Sequence, residues 1–260
     1  MPQEPKAIAA QFEVSGRITS CEPYGNGHIN DTYLVKTESG EPFILQRVNH
    51  HVFRNPVGLM ENVRRVTEHV RSKMETLGRD PDRHSLTLVP SRTGDQWIVD
   101  EENTWRLYLF IRDSVGYDLV TSPDQAREGG SAFGEFQRLL VDLPGGPLFD
   151  TIPRFHDMEL RLDTFRKAVD SDTANRAGVA REWIEFVQKR AFEMTRFIRL
   201  GKSGDIDLRI THNDTKFNNV LLDKQTNKAV CVIDLDTVMP GYVLYDFGDS
   251  IRTVTKLAAG

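Results

Sequence analysis

Cysteine is nearly absent: Cys21 and Cys231 are the only two in 260 residues, and they lie far apart. Such a pair builds no disulfide framework, and Cys231 falls in the apolar run Ala229-Val230-Cys231-Val232-Ile233, where a small buried thiol fits. The N-terminal Met1-Pro2-Gln3-Glu4-Pro5 has neither the apolar stretch nor the cleavage pattern of a secretory signal, so a reducing cytoplasm is the expected compartment. No run reaches the roughly 18 apolar residues of a spanning helix, so no membrane partner is expected. A surplus of positive charge is also missing. The net charge is −5 with the signs interspersed, which argues against nucleic acid as a partner. The basic pair Arg64-Arg65 stands among carboxylates, the pattern of a solvated helix face. Internal repeats and low-complexity segments are lacking as well. What is present is an ordinary globular composition, 39% hydrophobic and 27% charged, long enough for one large domain or two modest ones sharing a core.

Residues 1–112 read mainly as strands. Gly16–Thr19 leads to the turn Gly25-Asn26-Gly27, then Thr32–Thr37 and Pro42–Val48 form a hairpin about Glu38-Ser39-Gly40-Glu41. Leu59, Val63, Val66 and Val70, at three- and four-residue spacing, predict a helix over Val57–Leu77. Strands follow at Leu86–Val89, Gln96–Val99 and Trp105–Ile111, the last with the densest apolar content. Residues 113–260 are predicted mostly helical, over Pro123–Leu140, Leu160–Val169 and Val179–Leu200. The last of these carries an aromatic stripe including Trp183, Phe186 and Phe197 that reads as core. The expected class is α+β, a small antiparallel-sheet N-terminal lobe (1–112) followed by a mainly helical C-terminal lobe (113–260).

The chemistry concentrates in residues 211–249. Asp214 precedes Asn219 by five positions, and an apolar strand then delivers Asp234 and Asp236. Phosphoryl transfer from ATP needs a carboxylate beside the attacking hydroxyl and hard oxygen donors for a magnesium ion that bridges phosphates. Asp214, Asn219 and Asp234 supply that set, with Asp236 a fourth candidate.

His212-Asn213-Asp214 followed by Asn219 resembles the catalytic loop of the aminoglycoside phosphotransferase and choline kinase superfamily. Ile233-Asp234 is similar to its metal-binding motif, with Gly241 and Asp246 at the usual following spacing. The resemblance implies a protein-kinase-like fold, two lobes with the active site between them, ATP and Mg2+ as cofactors, and a small-molecule hydroxyl acceptor. Further segments resemble one branch, the N-acetylhexosamine 1-kinases: Gly27–Tyr33, Phe43–Asn49, Phe133–Gln137, Thr151–His156 and Asp234–Gly241. These imply transfer to the anomeric hydroxyl of N-acetylglucosamine or N-acetylgalactosamine. Another hydroxyl acceptor (aminoglycoside, choline, homoserine or similar) or a catalytically silent binding module are the alternatives.

Within this frame Asp214 is the candidate catalytic residue, accepting or orienting the substrate proton, and Asn219, Asp234 and Asp236 are candidate metal ligands. Asp236 serves equally well as a sugar contact or a turn cap. His212 is expected to support the loop structurally, and Lys216 either touches the transferring phosphate or is solvated. Gly25 and Gly27 allow backbone amides to approach phosphates closely. The third strand lacks the lysine that kinases usually place there. Arg47 is the preferred substitute and Gln46 the rival, since alternation sends them to opposite faces; Glu61 is the expected helical partner. Backbone groups of Phe110 and Ile111 are expected to read adenine. Asn30, His156, Asp214 and Asp236 are candidate acceptor contacts. His50-His51 has no third partner and is not read as a metal site. The sequence stops about a dozen residues after Asp246-Phe247-Gly248, where the resembling enzymes continue, and Lys256-Leu257-Ala258-Ala259 resembles a cloning-vector scar. A shortened second lobe with exposed apolar surface, as monomer or weak homodimer, is therefore expected.

Overall fold

The computed structural model describes residues 3–25, 27 and 29–255; Asn26 and His28 of the glycine turn, and the tail from Lys256, lie outside the described residues. A short helix α1 (Pro5–Ala9) precedes the antiparallel strands β1 (Ile18–Pro23), β2 (Asp31–Thr37) and β3 (Pro42–Val48). Helix α2 (Pro56–Thr76) and the single turn α3 (Pro81–His84) follow, then β4 (Leu88–Val89), β5 (Ile98–Asp100) and β6 (Asn103–Leu109). These strands form one sheet in the order β1-β2-β3-β6-β4, with β5 also paired to β6. The sheet ends at Leu109, and β7 (Ser114–Val115) already pairs with β9 (Val220–Asp223) of the second lobe, so the chain crosses between lobes over 110–113.

Alternation gives this sheet two unlike faces. Val35, Phe43, Leu45, Trp105 and Leu107 point outward and are sealed by Ile8, Ala9 and Phe12 of the α1 segment. Ile44, Val48 and Tyr108 point inward to a second core shared with α2 and the second lobe. Helix α2 starts where Asn55 caps the Gly58 amide at 3.0 Å ahead of Pro56 at the first turn. Its stripe Leu59, Val63, Val66, Val70 and Met74 is buried, each side chain contributing about 1.5–3 kcal/mol relative to exposure. One polar residue interrupts the stripe. Asn62, fully buried, donates to the carbonyls of Phe149 (2.8 Å) and Val238 (3.2 Å) and accepts from the Phe149 amide (2.9 Å). Arg65 on the next face donates to the carbonyls of Pro144 (2.6 Å) and Gly146 (2.7 Å), while Arg64 pairs with Glu61 and Glu68.

In the second lobe α4 (Pro123–Leu139), capped by Ser122, presents Phe133, Phe136 and Leu139 to the core. Helices α5 (Met158–Ser171), α6 (Arg181–Met194) and α7 (Arg196–Ser203) lie peripherally. The chain then returns through β8 (Arg209–Thr211), β9, β10 (Ala229–Val232) and β11 (Met239–Gly241) to α8 (Val243–Val254). β9 pairs with β10, and β8 with β11.

The aromatic stripe expected as core over 179–200 is not core. The segment breaks at Thr195 into two helices, no residue of α6 is buried, and Trp183 is 68% exposed. Two of its rings lie under cations of the same segment, Phe186 under Arg190 at 3.6 Å and Phe192 under Arg199 at 3.8 Å. Periodicity shows that a helix has an apolar face, not that a neighbour covers it. Cys231, by contrast, is buried as expected, and burial pushes its thiol up to about 12.

Asn62→Ala would orphan backbone groups at both Phe149 and Val238. The expected loss is about 2–4 kcal/mol of unfolding free energy in urea denaturation, with the slope of the transition unchanged; a change below about 0.5 kcal/mol would show that the bridge does not hold α2 to the second lobe.

Candidate active site

The loop from Thr211 to Asn219 is held by a single buried carboxylate. Asp246, near the start of α8, accepts the amides of His212 (2.9 Å) and Asn213 (2.7 Å) and the side chain of Gln137 from α4 (2.6 Å). Its carbonyl takes the Thr215 hydroxyl at 2.6 Å. His212, fully buried against the edges of Phe133 and Phe136, donates from Nε2 to the Ile233 carbonyl at 2.9 Å. That bond fixes the tautomer, leaving Nδ1 to accept the Asp214 amide at 3.3 Å. All the His212 contacts are internal.

Asn213 adopts a left-handed backbone (φ 65°), a conformation Asn tolerates better than most residues, and its carboxamide bonds the Thr237 carbonyl at 2.9 Å. Gly241 allows this packing. A Cβ there would lie 2.2 Å from Thr211 Oγ1 and 2.8 Å from Asn213 Oδ1.

Asp214 projects into the cleft with its side chain 18% exposed and Lys216 Nζ at 2.9 and 3.0 Å from its two oxygens. Asn219 donates to the Asp214 carbonyl at 2.8 Å and to its carboxylate at 3.3 Å, which leaves Asn219 Oδ1 without a partner among the described residues. The Asn219 carbonyl also accepts the Ile233 amide at 2.9 Å, so Ile233 is clamped by the catalytic loop on both backbone groups. The next residue, Asp234, is left-handed (φ 59°, ψ 62°), and its carboxylate makes no hydrogen bond or ion pair among the described residues. Solvent reaches Asp234, yet protein crowds it closely. Burial first, and the Asp236 carboxylate second, push its pKa up to about 6, against the opposing pull of His212 and Arg106. A carboxylate so raised and unpaired is relieved by a cation.

Among the described residues no three His, Cys, Asp or Glu side chains converge as a metal site. The donor set is instead mixed, the Asp234 carboxylate and the Asn219 carboxamide oxygen, which suits a hard cation that keeps waters and takes its remaining oxygens from phosphates.

Asp236 behaves differently from its neighbour, and here the expectations need correction. It is 1% exposed, and both oxygens are taken: Oδ1 by Arg106 Nη1 at 2.5 Å and Oδ2 by Asn30 Nδ2 at 2.6 Å. It is therefore not placed as a metal ligand, acceptor contact or turn cap. Asn30 likewise has its carboxamide committed, since its Oδ1 accepts the Asn49 amide at 3.0 Å. The Arg47 expectation is also corrected. Arg47 lies on the outer face, opposite Trp105 in the ladder and paired with Asp31, because alternation gives the inner face to Gln46. Glu61 pairs with Arg64 on α2 and reaches no strand residue; the shift of its carboxyl below the ordinary value follows from that Arg64 hydrogen bond.

The inner-face cation comes from a residue the motifs did not single out. Arg106, directly across the ladder from Gln46, donates to Gln46 Oε1 from Nε (3.0 Å) and Nη2 (2.8 Å). A signal was available: an arginine inside the apolar strand Trp105–Ile111 must be paired if that strand is central. Asp246 carried less, a spacing without a partner.

At the crossing, Tyr24 from the glycine turn meets the ring of Phe110 edge-on with centroids 6.0 Å apart. Gly25 lies in that turn with φ 77°. Gly27 stands two residues further on, with only the Asn30 carbonyl near a Cβ placed there, at 3.8 Å. The Phe110 amide is spent on Pro42 O (3.3 Å) and the Ile111 carbonyl on Ser114 Oγ (2.7 Å). The Phe110 carbonyl and Ile111 amide remain without partners among the described residues. Ile111 packs with Leu221 and Ile233, directly before Asp234. His156 donates from Nε2 to the Asn213 carbonyl at 2.9 Å and packs against Phe155 and Tyr245 (4.6 and 4.9 Å between centroids).

A strand-rich lobe with a glycine turn, joined by a short crossing to a helical lobe that carries an Asp–Asn loop and a following aspartate, defines a two-lobed kinase-like fold. The chain belongs to the phosphotransferase enzyme family, whose profile matches residues 20–259. Solved structures share the fold. An amicoumacin kinase in complex with AMP-PNP, Ca2+ and Ami aligns with a TM-score of 0.61 at 14% identity, over 94% of this chain and 66% of that one. An aminoglycoside phosphotransferase from Alicyclobacillus acidocaldarius subsp. acidocaldarius gives 0.63 at 14% identity, over 97% and 71%. An ethanolamine kinase from Plasmodium vivax gives 0.52 at 14%, over 89% and 61%. The chain thus spans about two thirds of the length of these proteins. No helix among the described residues is long and apolar enough to cross a membrane.

Gly241→Ala is expected to cost about 1–3 kcal/mol by overpacking and to lower turnover more than any other single-methyl addition on β11. Thermal unfolding and steady-state rates measured together check this; an unchanged melting temperature would show that the loop tolerates the methyl.

Proposed function

We propose that the chain transfers a phosphoryl group from ATP to the hydroxyl of a small molecule, and that the acceptor is an N-acetylhexosamine phosphorylated at its anomeric oxygen. The observation that carries the transfer reading is the juxtaposition of Asp214, Asn219 and Asp234. The loop holds Asp214 at the cleft, and Asn219 Oδ1 and the Asp234 carboxylate lie beside it without partners among the described residues. ATP and Mg2+, when bound, supply the transferable group and neutralise its charge. Asp214 accepts or orients the acceptor proton, and Lys216, now on its two oxygens, is near enough to exchange one of them for a phosphate oxygen. With nucleotide bound, the turn at Gly25 and Gly27 would hold the phosphates and the Phe110 carbonyl and Ile111 amide would read the adenine edge.

The acceptor reading rests on the resemblance together with the local chemistry. The rings of Phe155, His156 and Tyr245 stand beside the Asn213 carbonyl, offering flat faces to a pyranose ring. Two carboxylates that follow these rings in sequence are already paired, Asp157 with Arg154 at 2.6 Å and Glu159 with Lys202 at 2.8 Å. A polycationic acceptor would need them free.

The test is ADP release with Mg-ATP over a panel of N-acetylglucosamine, N-acetylgalactosamine, an aminoglycoside and ethanolamine. Acceptor-dependent ADP release with the N-acetylhexosamines and formation of an acid-labile sugar 1-phosphate are expected. Release only with the amines would overturn the acceptor reading, and none with any acceptor would overturn the transfer reading. Asp214→Asn is expected to lower turnover by about 10²–10⁴-fold while leaving the ATP dissociation constant within about twofold, because the side chain acts on the acceptor.

A further inference from the structure

We propose that Arg106 is a positioning residue for this site: from the centre of the first lobe's sheet it grips Asp236 and thereby fixes the backbone that aims Asp234. The proposal rests on the reading of Asp234 as a metal ligand.

Arg106 is 1% exposed and on the inner face of β6. Its guanidinium spans two partners, Asp236 at 2.5 Å and Gln46 at 2.8 and 3.0 Å, and Gln46 in turn bonds Thr32 Oγ1 at 3.1 Å. The network therefore runs across three adjacent strands, β6, β3 and β2, before it reaches the second lobe. Asn30, just ahead of β2, holds the other oxygen of Asp236. Both holds on Asp236 thus come from the first lobe.

The loop on the other side has little freedom. Ile233 is clamped by Asn219 and His212, Thr237 by Asn213, and Val238 by Asn62. Between Ile233 and Asp236 only Asp234 and Leu235 remain, and Asp234 is left-handed with no side-chain bond among the described residues. A residue in that conformation persists when its surroundings over-determine it. Its carboxylate direction is then set by the two flanking anchors, one from the catalytic loop and one from Arg106. A buried ion pair is not needed for stability alone, since apolar residues of like volume serve as well or better. This pair lies between lobes, two residues from Asp234.

Burial opposes the Arg106 charge, but Asp236, Tyr108 and Asp234 together offset it and the guanidinium stays protonated. Lysine is a poor replacement, because a single ammonium cannot hold the Gln46 oxygen and Asp236 in the same fork.

The test compares Arg106→Gln, Arg106→Lys, Asn30→Ala and Asp234→Asn with the unaltered chain. Thermal shift with AMP-PNP is read in EDTA and over a magnesium titration, alongside kcat and KM. For Arg106→Gln the magnesium concentration for half the metal-dependent shift is expected to rise, and kcat to fall, by about 10-fold or more, with the EDTA shift and acceptor KM held within about twofold. Arg106→Lys should recover part of both, and Asn30→Ala should move both a few-fold in the same direction. A folded Arg106→Gln with the unaltered metal requirement and kcat would overturn the proposal. If that variant does not fold, Asn30→Ala decides, and an unchanged metal requirement there overturns it. Asp234→Asn separates the two readings. Unchanged metal dependence in that variant removes the ligand assignment and the proposal with it. Loss there without any effect at Arg106 or Asn30 removes the proposal alone.

Discussion

The catalytic loop depends on one buried carboxylate. Asp246 takes two consecutive backbone amides and a glutamine side chain on its oxygens, and a threonine hydroxyl on its carbonyl, at 2% exposure. Removing a carboxylate from water is expensive, and short donor contacts such as these offset that cost while fixing direction. The result is that His212, Asn213 and Thr215 hang from the first turns of α8 and from α4. From His212 the constraint passes through one imidazole to Ile233 and to the Asp214 amide. The loop before β9 and the strand end after β10, the two ends of the β9–β10 hairpin, are thereby held in one frame.

Much of this frame was legible in the residues. His212-Asn213-Asp214 and Asn219, followed by an apolar strand ending in Asp234, marked the site, and the change from strand-like to helix-like patterning near residue 112 marked the two lobes. What escaped was orientation. Alternation says that Gln46 and Arg47 diverge, but which of them faces the cleft depends on what covers each side of β3. That is decided by α1, five residues long and too short to show a period, and by the register with β6. Arg106 escaped for a related reason: a cation inside an apolar strand announces a partner without naming it, and Asp236 is 130 residues away. The α6 stripe misled in the opposite sense, because amphipathic spacing carries no information about the neighbour.

The two aspartates of the Asp234-Leu235-Asp236 turn show how one short segment serves two purposes. A left-handed residue followed by a single helical turn, Leu235–Thr237, sends the two side chains apart. Asp236 turns inward to Arg106 and Asn30, whereas Asp234 turns to the cleft and meets no partner among the described residues. Asp214, on the loop before β9, has Lys216. Of these three carboxylates, two are matched by a cation of the chain and one is left over, with its pKa raised by burial and by Asp236.

That remainder bears on how a metal would be held. One carboxylate and one carboxamide oxygen are too few donors to strip magnesium of its water, so the pair alone makes a weak site. Had Arg106 been absent, Asp236 would add a second negative charge to Asp234. That charge would repel Asp234 in the metal-free chain and leave the turn that aims Asp234 without its hold from the first lobe. By pairing with Asp236, Arg106 removes that repulsion and holds the turn in place. Phosphate oxygens of a bound nucleotide would supply donors that the pair lacks. The Gln46 position fits the same logic. A cation on β3 facing the cleft would compete with Arg106 for Asp236, and a neutral carboxamide instead accepts from Arg106 and passes the constraint to Thr32.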